Sequence, residues 1–408
     1  MNGAEFARLA LEERRIAVCV GSGGVGKTTV SAALALEVAR RGRRALVLTI
    51  DPARRLADAL GVGALGNKPR HVPRSALASL GVPAEGSLSA MMLDMKRTFD
   101  DLVERFAESP KARDRIFSNA IYQHASEALA GSVEYSAMEK VFELSESGDY
   151  DLIVVDTPPA QHALDFLDAP ERLLEFLDSR LVQMLIHPAF AAGRFGFRIF
   201  QRGTRRVLQL IERVSGIGFL EDISEFLLAF EGMADGFRER ARRVRALLSG
   251  PEASFVLVMG AGRESVQHAT QLRDRLDSHG VELSGVLANR VRLWPGGEPP
   301  ALDGETLPEG VAALAKALST EHGADFPAEE AARAAISAAT RYAALVRRDD
   351  AAMRPLRTGI ENQGRYWGQI AEFDEDVHDL AGLARIARCI VGEDGEESRL
   401  GNTGSTGD

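Results

Sequence analysis

Residues Gly21 to Thr28 read G-S-G-G-V-G-K-T, which is a phosphate-cradling loop at its proper spacing. Its glycines let backbone N–H groups turn inward against phosphate oxygens. A helix that starts at the loop's exit adds the positive end of its dipole. Gly23, Gly24, Val25, Gly26, Lys27, Thr28 and Thr29 are therefore the candidate nucleotide-binding residues. Lys27 is placed to reach the β- and γ-phosphates, and the Thr28 hydroxyl to ligate Mg²⁺. Two acids add to this chemistry. Asp51 follows Leu-Thr-Ile and Asp156 follows Val-Val, each at the end of an apolar run. Phosphoryl transfer needs positioning and charge neutralisation more than covalent help. Asp156 suits a magnesium-associated carboxylate, acting through a water, and Asp51 suits a group that orients the attacking water. A strand-end aspartate that merely caps the next helix is the plainer alternative for each.

These residues must be held at the carboxyl ends of strands. Five short apolar runs read as buried strands: Ile16–Val20, Ala45–Ile50, Leu152–Val155, Phe255–Met259 and Val286–Ala288. Helical stretches separate them, beginning with the Ala/Leu-rich segment from Thr28 that stops at Gly42. That alternation predicts an α/β fold, a doubly wound and mostly parallel sheet with ligands at the strands' carboxyl ends. Residues 91–148 and 161–248 read as large helical insertions, and 328–348 as an Ala-rich helix. The whole of 1–390 is expected to form one domain, with a nucleotide-binding core in 15–60, 150–168 and 254–290. The acidic, Gly/Ser-rich stretch 391–408 is expected to be a disordered tail.

Composition narrows the function further. A formal net charge of −10 at pH 7 argues against a general nucleic-acid binder. Only two cysteines occur, Cys19 and Cys389, so neither a disulfide framework nor a Cys-based zinc site is expected. Cys19 reads as a small buried apolar residue. No secretory signal and no transmembrane run is evident, and a reducing cytoplasm fits.

The segments GSGGVGKTT, DPARRLADAL and DTPPAQHALDFL, in this order, resemble the ArsA-type ATPases. Those include the arsenite-pump ATPase and the Get-pathway ATPase that targets tail-anchored membrane proteins. The resemblance is good over 15–60, 150–168 and 254–290, and DEDVHDLAGLARIA (374–387) is similar to a C-terminal segment of bacterial members. It implies ATP and Mg²⁺ as cofactors. It implies Asp51 as the water-activating acid and Asp156 as the switch II acid. It also implies that Asn289 hydrogen-bonds adenine. The protein would be a dimeric nucleotide switch, pairing with itself or with a homologous ATPase. Its helical part would handle a hydrophobic protein client or a membrane-linked cargo.

The chain departs from that pattern at Ser22, where family loops carry a lysine that reaches into the other subunit. A partner's lysine, a nearby arginine such as Arg54 or Arg55, or very slow hydrolysis are the three consequences open. The last would make the chain a weakly or non-hydrolysing nucleotide-binding subunit of a homologous partner. His162 stands in the second switch, as a phosphate contact or a structural link. The metalloid-binding cysteines and the C-x-x-C clip of relatives have no counterparts, which argues against arsenite transport and dimerisation by such a clip. Residues 194–213 form a basic amphipathic stretch, either a client surface or an ordinary core-facing helix. The five arginines of 238–245 read as a solvated helix end, and Met91, Met92 and Met95 as gap-fillers or an adaptable surface.

Overall fold

Ile16-Ala17-Val18-Cys19-Val20 is apolar throughout because β1 (Ile16–Val20) is covered on both faces. Ile16, Val18 and Val20 enter one buried cluster, and Ala17 and Cys19 enter another. This alternation is the two-residue period of a strand inside a three-layer sandwich. The computed structural model describes residues 1–50, 55–107, 109–119, 132–158, 238–295, 297–300, 307–323 and 325–392, with Tyr122, Glu175 and Gly236.

The other strands are β2 (Arg44–Thr49), β3 (Arg70–His71), β4 (Ser87–Met92), β5 (Leu152–Asp156), β6 (Ala253–Gly260), β7 (Leu283–Val291) and β8 (Tyr366–Ala371). They form one sheet in the order β3-β4-β2-β5-β1-β6-β7-β8. All neighbours are parallel except β3 and β4. The expected doubly wound, mostly parallel α/β sheet is what forms. The chain passes from β1 to one side through β2 and to the other side through β6. That reversal leaves a crevice at the carboxyl end of β1.

One face carries α1 (Lys27–Arg40), α2 (Arg55–Leu60) and α8 (Leu380–Val391). The other carries α3 (Met95–Phe106), α4 (Ser132–Ser147) and α5 (Arg263–Ser278). The segment Gly3–Glu12 is helical, and its Phe6 stacks on Tyr366 with ring centroids 4.6 Å apart. Tyr366 in turn donates a hydrogen bond to the Ile390 carbonyl at 2.6 Å.

The structure adds three strands to the five anticipated. β4 reads Ser-Leu-Ser-Ala-Met-Met, too small and polar to stand out, yet Ser89 is buried and bonded to His71 Nδ1 at 2.8 Å. β8 alternates buried and half-buried residues, as an edge strand does. β3 has only two residues. Met91 and Met92 lie in β4, so helix begins only at Met95, and Met91 fills the core and is not a surface. The arginine run at 238–245 is not purely a solvated end. Arg242 and Arg243 pair with Glu239 on the surface, whereas Arg240 turns inward onto Glu139 at 2.7 Å and covers the Phe142 ring. Burial raises the Glu139 carboxyl above its ordinary value, against the lowering by Arg240 and Arg105.

α6 (Leu307–His322) and α7 (Ala328–Asn362) form a helical pair between β7 and β8. Asp349 of α7, 2% exposed, holds Arg292 at 2.9 Å, and Arg292 also reaches Glu372 at 3.2 Å. Removing one partner of a buried ion pair strands the other charge, at about 3–5 kcal/mol in full burial. Arg292 is about one-third exposed, so water recovers part of that. Asp349→Ala is expected to destabilise the protein by about 2 kcal/mol in urea unfolding. A change under about 0.5 kcal/mol would show that the pair does not anchor α7.

Candidate functional site

The crevice is built by glycines with left-handed backbones. Gly24 has φ 77° and Gly26 φ 88°, and Gly26 is the residue from which α1 starts. Gly21 lies so close to β6 that a Cβ would sit 2.1 Å from the Val258 carbonyl oxygen. Only glycine fits a chain that turns this tightly against its neighbour. Lys27 is 7% exposed, and its Nζ donates to the Ser22 carbonyl at 3.0 Å. The ammonium is thereby folded back over the loop.

Thr28 Oγ1 donates to Asp156 Oδ2 at 2.7 Å, and Thr49 Oγ1 donates to the same oxygen at 2.9 Å. Strand register brings these groups together, since Asp156 lies opposite both Cys19 of β1 and Thr49 of β2. The Thr157 hydroxyl bonds the Cys19 carbonyl at 2.7 Å and fixes the start of the next segment. Burial pushes the Cys19 thiol up to about 12, so it is a neutral packing group and not a nucleophile.

A hydroxyl and a carboxylate side by side at the loop's exit are hard oxygen donors of the kind Mg²⁺ takes. Among the described residues, no group of three or more His, Cys, Asp or Glu could hold a metal. One carboxylate, one hydroxyl and substrate phosphates are a usual magnesium environment, so the donor set fits that ion.

Asn289 reaches the loop from the opposite side. Its Nδ2 donates to the Val25 carbonyl at 2.8 Å, and its Oδ1 accepts from Arg290 N at 3.0 Å. A bulge in β7 aims it there. Ala288 pairs with Gln369 and Val291 with Ala371, so Asn289 and Arg290 stand against Ile370 alone. Arg290 takes φ 56°, a left-handed conformation uncommon for a side-chain-bearing residue.

A cavity of about 660 Å³ joins these parts. The loop, through Gly23, Gly24 and residues 26–29, lines it with Thr157 and Asn289, and so do Arg55, Asp58 and Arg290. Its remaining wall is the segment 371–378, including Phe373, Asp376 and His378. Arg290 pairs with Asp376 at 3.4 Å, and Arg385 covers the Phe373 ring. Sequence reading missed Arg290 and this wall as site residues. The similarity of 374–387 to a family segment was the wall's signal, without a role attached, and Arg290 had none beyond its place next to Asn289. Asp51, Arg54 and His162 lie outside the described residues, as do 194–213 and 393–408.

Residues 14–296 match the family model described as anion-transporting ATPase. The chain belongs to this family. Similar proteins include ATPase get3 of Schizosaccharomyces japonicus, 25% identical over 277 residues, which is 67% of this chain and 74% of that one. ATPase GET3 of Malassezia globosa is 24% identical over 279 residues, 68% of this chain and 73% of the relative. A putative arsenical pump-driving ATPase of Halobacterium salinarum is 31% identical over 170 residues, 41% of this chain but 26% of its own length. Family membership makes the loop, the sheet and the crevice those of a P-loop ATPase. The match ends at 296, so β8 and the wall at 371–378 lie beyond it. Among the described residues, no helix is long and apolar enough to cross a membrane.

Proposed function

We propose that this chain binds Mg-ATP in the crevice, hydrolyses it, and uses the change to switch a helical client-binding region within a dimer. The observation that carries the proposal is the 2.7 Å contact between Thr28 Oγ1 and Asp156 Oδ2 at the start of α1. Backbone N–H groups of Gly23, Gly24, Val25 and Gly26, with Lys27, hold the β- and γ-phosphates. Thr28 and Asp156 would hold Mg²⁺, which would supply charge neutralisation on those phosphates. Asn289 keeps one Nδ2 hydrogen and one Oδ1 lone pair beyond the bonds given above, enough for an adenine edge. Asp51 orients water. The water oxygen forms a bond to the γ-phosphorus as the bond to the β,γ-bridging oxygen breaks. The electron pair of that bond stays on ADP, and the water proton leaves to solvent.

A second reading is favoured by Ser22, which brings a hydroxyl where the family loop brings a charge. In it the chain binds ATP and serves a homologous partner that hydrolyses. Calorimetry with Mg-ATP and steady-state hydrolysis, beside Asp51→Asn, separate the two. Hydrolysis that falls about 10²-fold in Asp51→Asn with binding kept supports the switch enzyme. Equal, near-zero rates with binding kept support the regulatory subunit, and absence of nucleotide binding removes both.

A further inference from the structure

Three cationic side chains line the crevice, and the structure treats them differently. Lys27 is folded onto the Ser22 carbonyl. Arg290 is paired with Asp376 beside Asn289. Arg55, at the first position of α2, is exposed and makes no ion pair or hydrogen bond with any described residue. Asp58 lines the same cavity one turn later without pairing with it. A guanidinium left free on the wall of a phosphate cavity is a charge in search of an anion. Its planar fork matches two phosphate oxygens at once.

Chain order ties Arg55 to the end of β2, and Arg55 lines the same cavity as the loop. β2 ends at Thr49, and the next residue, Ile50, donates its N–H to the Asp156 carbonyl at 3.4 Å. The chain therefore leaves the sheet beside the magnesium-type acid and reaches Arg55 five residues later. Arg55 enters from α2, a different element from the loop that carries Lys27, so the two cations line the cavity from separate elements.

We infer that Arg55 is a catalytic residue acting within its own chain, its guanidinium bearing on the γ-phosphate oxygens as transfer proceeds. This rests on the Mg-ATP reading above. In the step, the water oxygen bonds to the γ-phosphorus, the bridging bond breaks toward ADP, and the proton leaves to solvent. Arg55 gains and loses no bond. It neutralises charge that is greatest while the phosphoryl group is between the two oxygens, the role a trans-acting arginine plays elsewhere.

The test uses the full chain as wild type, Arg55→Ala and Arg55→Lys. Binding of Mg-ADP is measured with and without aluminium fluoride, which mimics the transferring phosphoryl group, together with steady-state ATP hydrolysis. Arg55→Ala is expected to bind Mg-ADP within about threefold of wild type, to bind ADP–aluminium fluoride at least about tenfold more weakly, and to hydrolyse about 10²-fold more slowly. Arg55→Lys should recover part of both losses, and the exposed position should leave the thermal midpoint unchanged. Equal fluoroaluminate affinity in wild type and Arg55→Ala overturns the inference. So does a loss that is the same for Mg-ADP alone, which would make Arg55 a ground-state clamp. If wild type binds no nucleotide at all, the Mg-ATP reading fails as well. If it binds nucleotide and only the Arg55 effect is missing, that reading survives.

Discussion

Replacement of Lys27 by alanine is expected to lower kcat/KM for Mg-ATP by about 10³-fold, which is about 4 kcal/mol of transition-state stabilisation. Lys27 is nearly buried, where its charge is weakly screened, and is already held over the loop by the Ser22 carbonyl. Little ordering remains to be done when phosphate arrives. The carbonyl it now engages is exchanged for phosphate oxygens of full negative charge. Alanine removes the cation and also a brace of the loop, so both binding and turnover should fall. Lys27→Arg should not rescue fully, because a planar guanidinium is bulkier than the compact ammonium this nearly buried position holds. Steady-state kinetics with parallel Mg-ATP calorimetry measures both effects. A kcat/KM within tenfold of wild type would contradict the role given to Lys27.

Gly26→Ala is the second large effect. A methyl group at Gly26 would lie 2.3 Å from Asn289 Nδ2, in a backbone at φ 88°. Left-handed strain costs about 1–2 kcal/mol for a side-chain-bearing residue. The clash adds to it, because Asn289 is nearly buried and anchored to Val25. Something must move, and either the loop or the bulge gives way. We expect Mg-ATP affinity to fall by at least about 10²-fold and stability by about 2–3 kcal/mol. Gly24→Ala is the control, since its φ is 77° but nothing lies within 4 Å of the added methyl. It should show the strain without the collision, with a clearly smaller loss of stability in urea unfolding. Equal losses would mean that backbone conformation alone sets the cost.

The parts of this site legible in the sequence were those made by local pattern. A lysine and threonine after spaced glycines, or an aspartate after an apolar run, carry their geometry within a few residues. Thr28 and Asp156 are therefore both readable as magnesium-side groups, and the structure sets them 2.7 Å apart. β4 and β8 were not legible, since Ser89 hides in the core by bonding His71, and an edge strand need be only half apolar. The Asn289–Arg290 bulge exists only in the pairing of β7 with β8, which no local pattern encodes. The wall at 371–378 is likewise a matter of tertiary placement. Arg55 was visible as an arginine near the loop, but its lack of a partner among the described residues depends on its surroundings in the fold.

The Gly3–Glu12 segment rests against the far end of the described chain. Gly3 meets the Val391 carbonyl so closely that a Cβ would be 2.4 Å away, and Phe6 stacks on Tyr366. α8 also covers α1, the helix that begins with Lys27. On the ribosome, the loop is made well before the strand, wall and helix that complete its crevice. Until α8 is made, a nascent chain thus holds an open cradle with exposed apolar flanks. The complete crevice becomes available only once translation has passed α8.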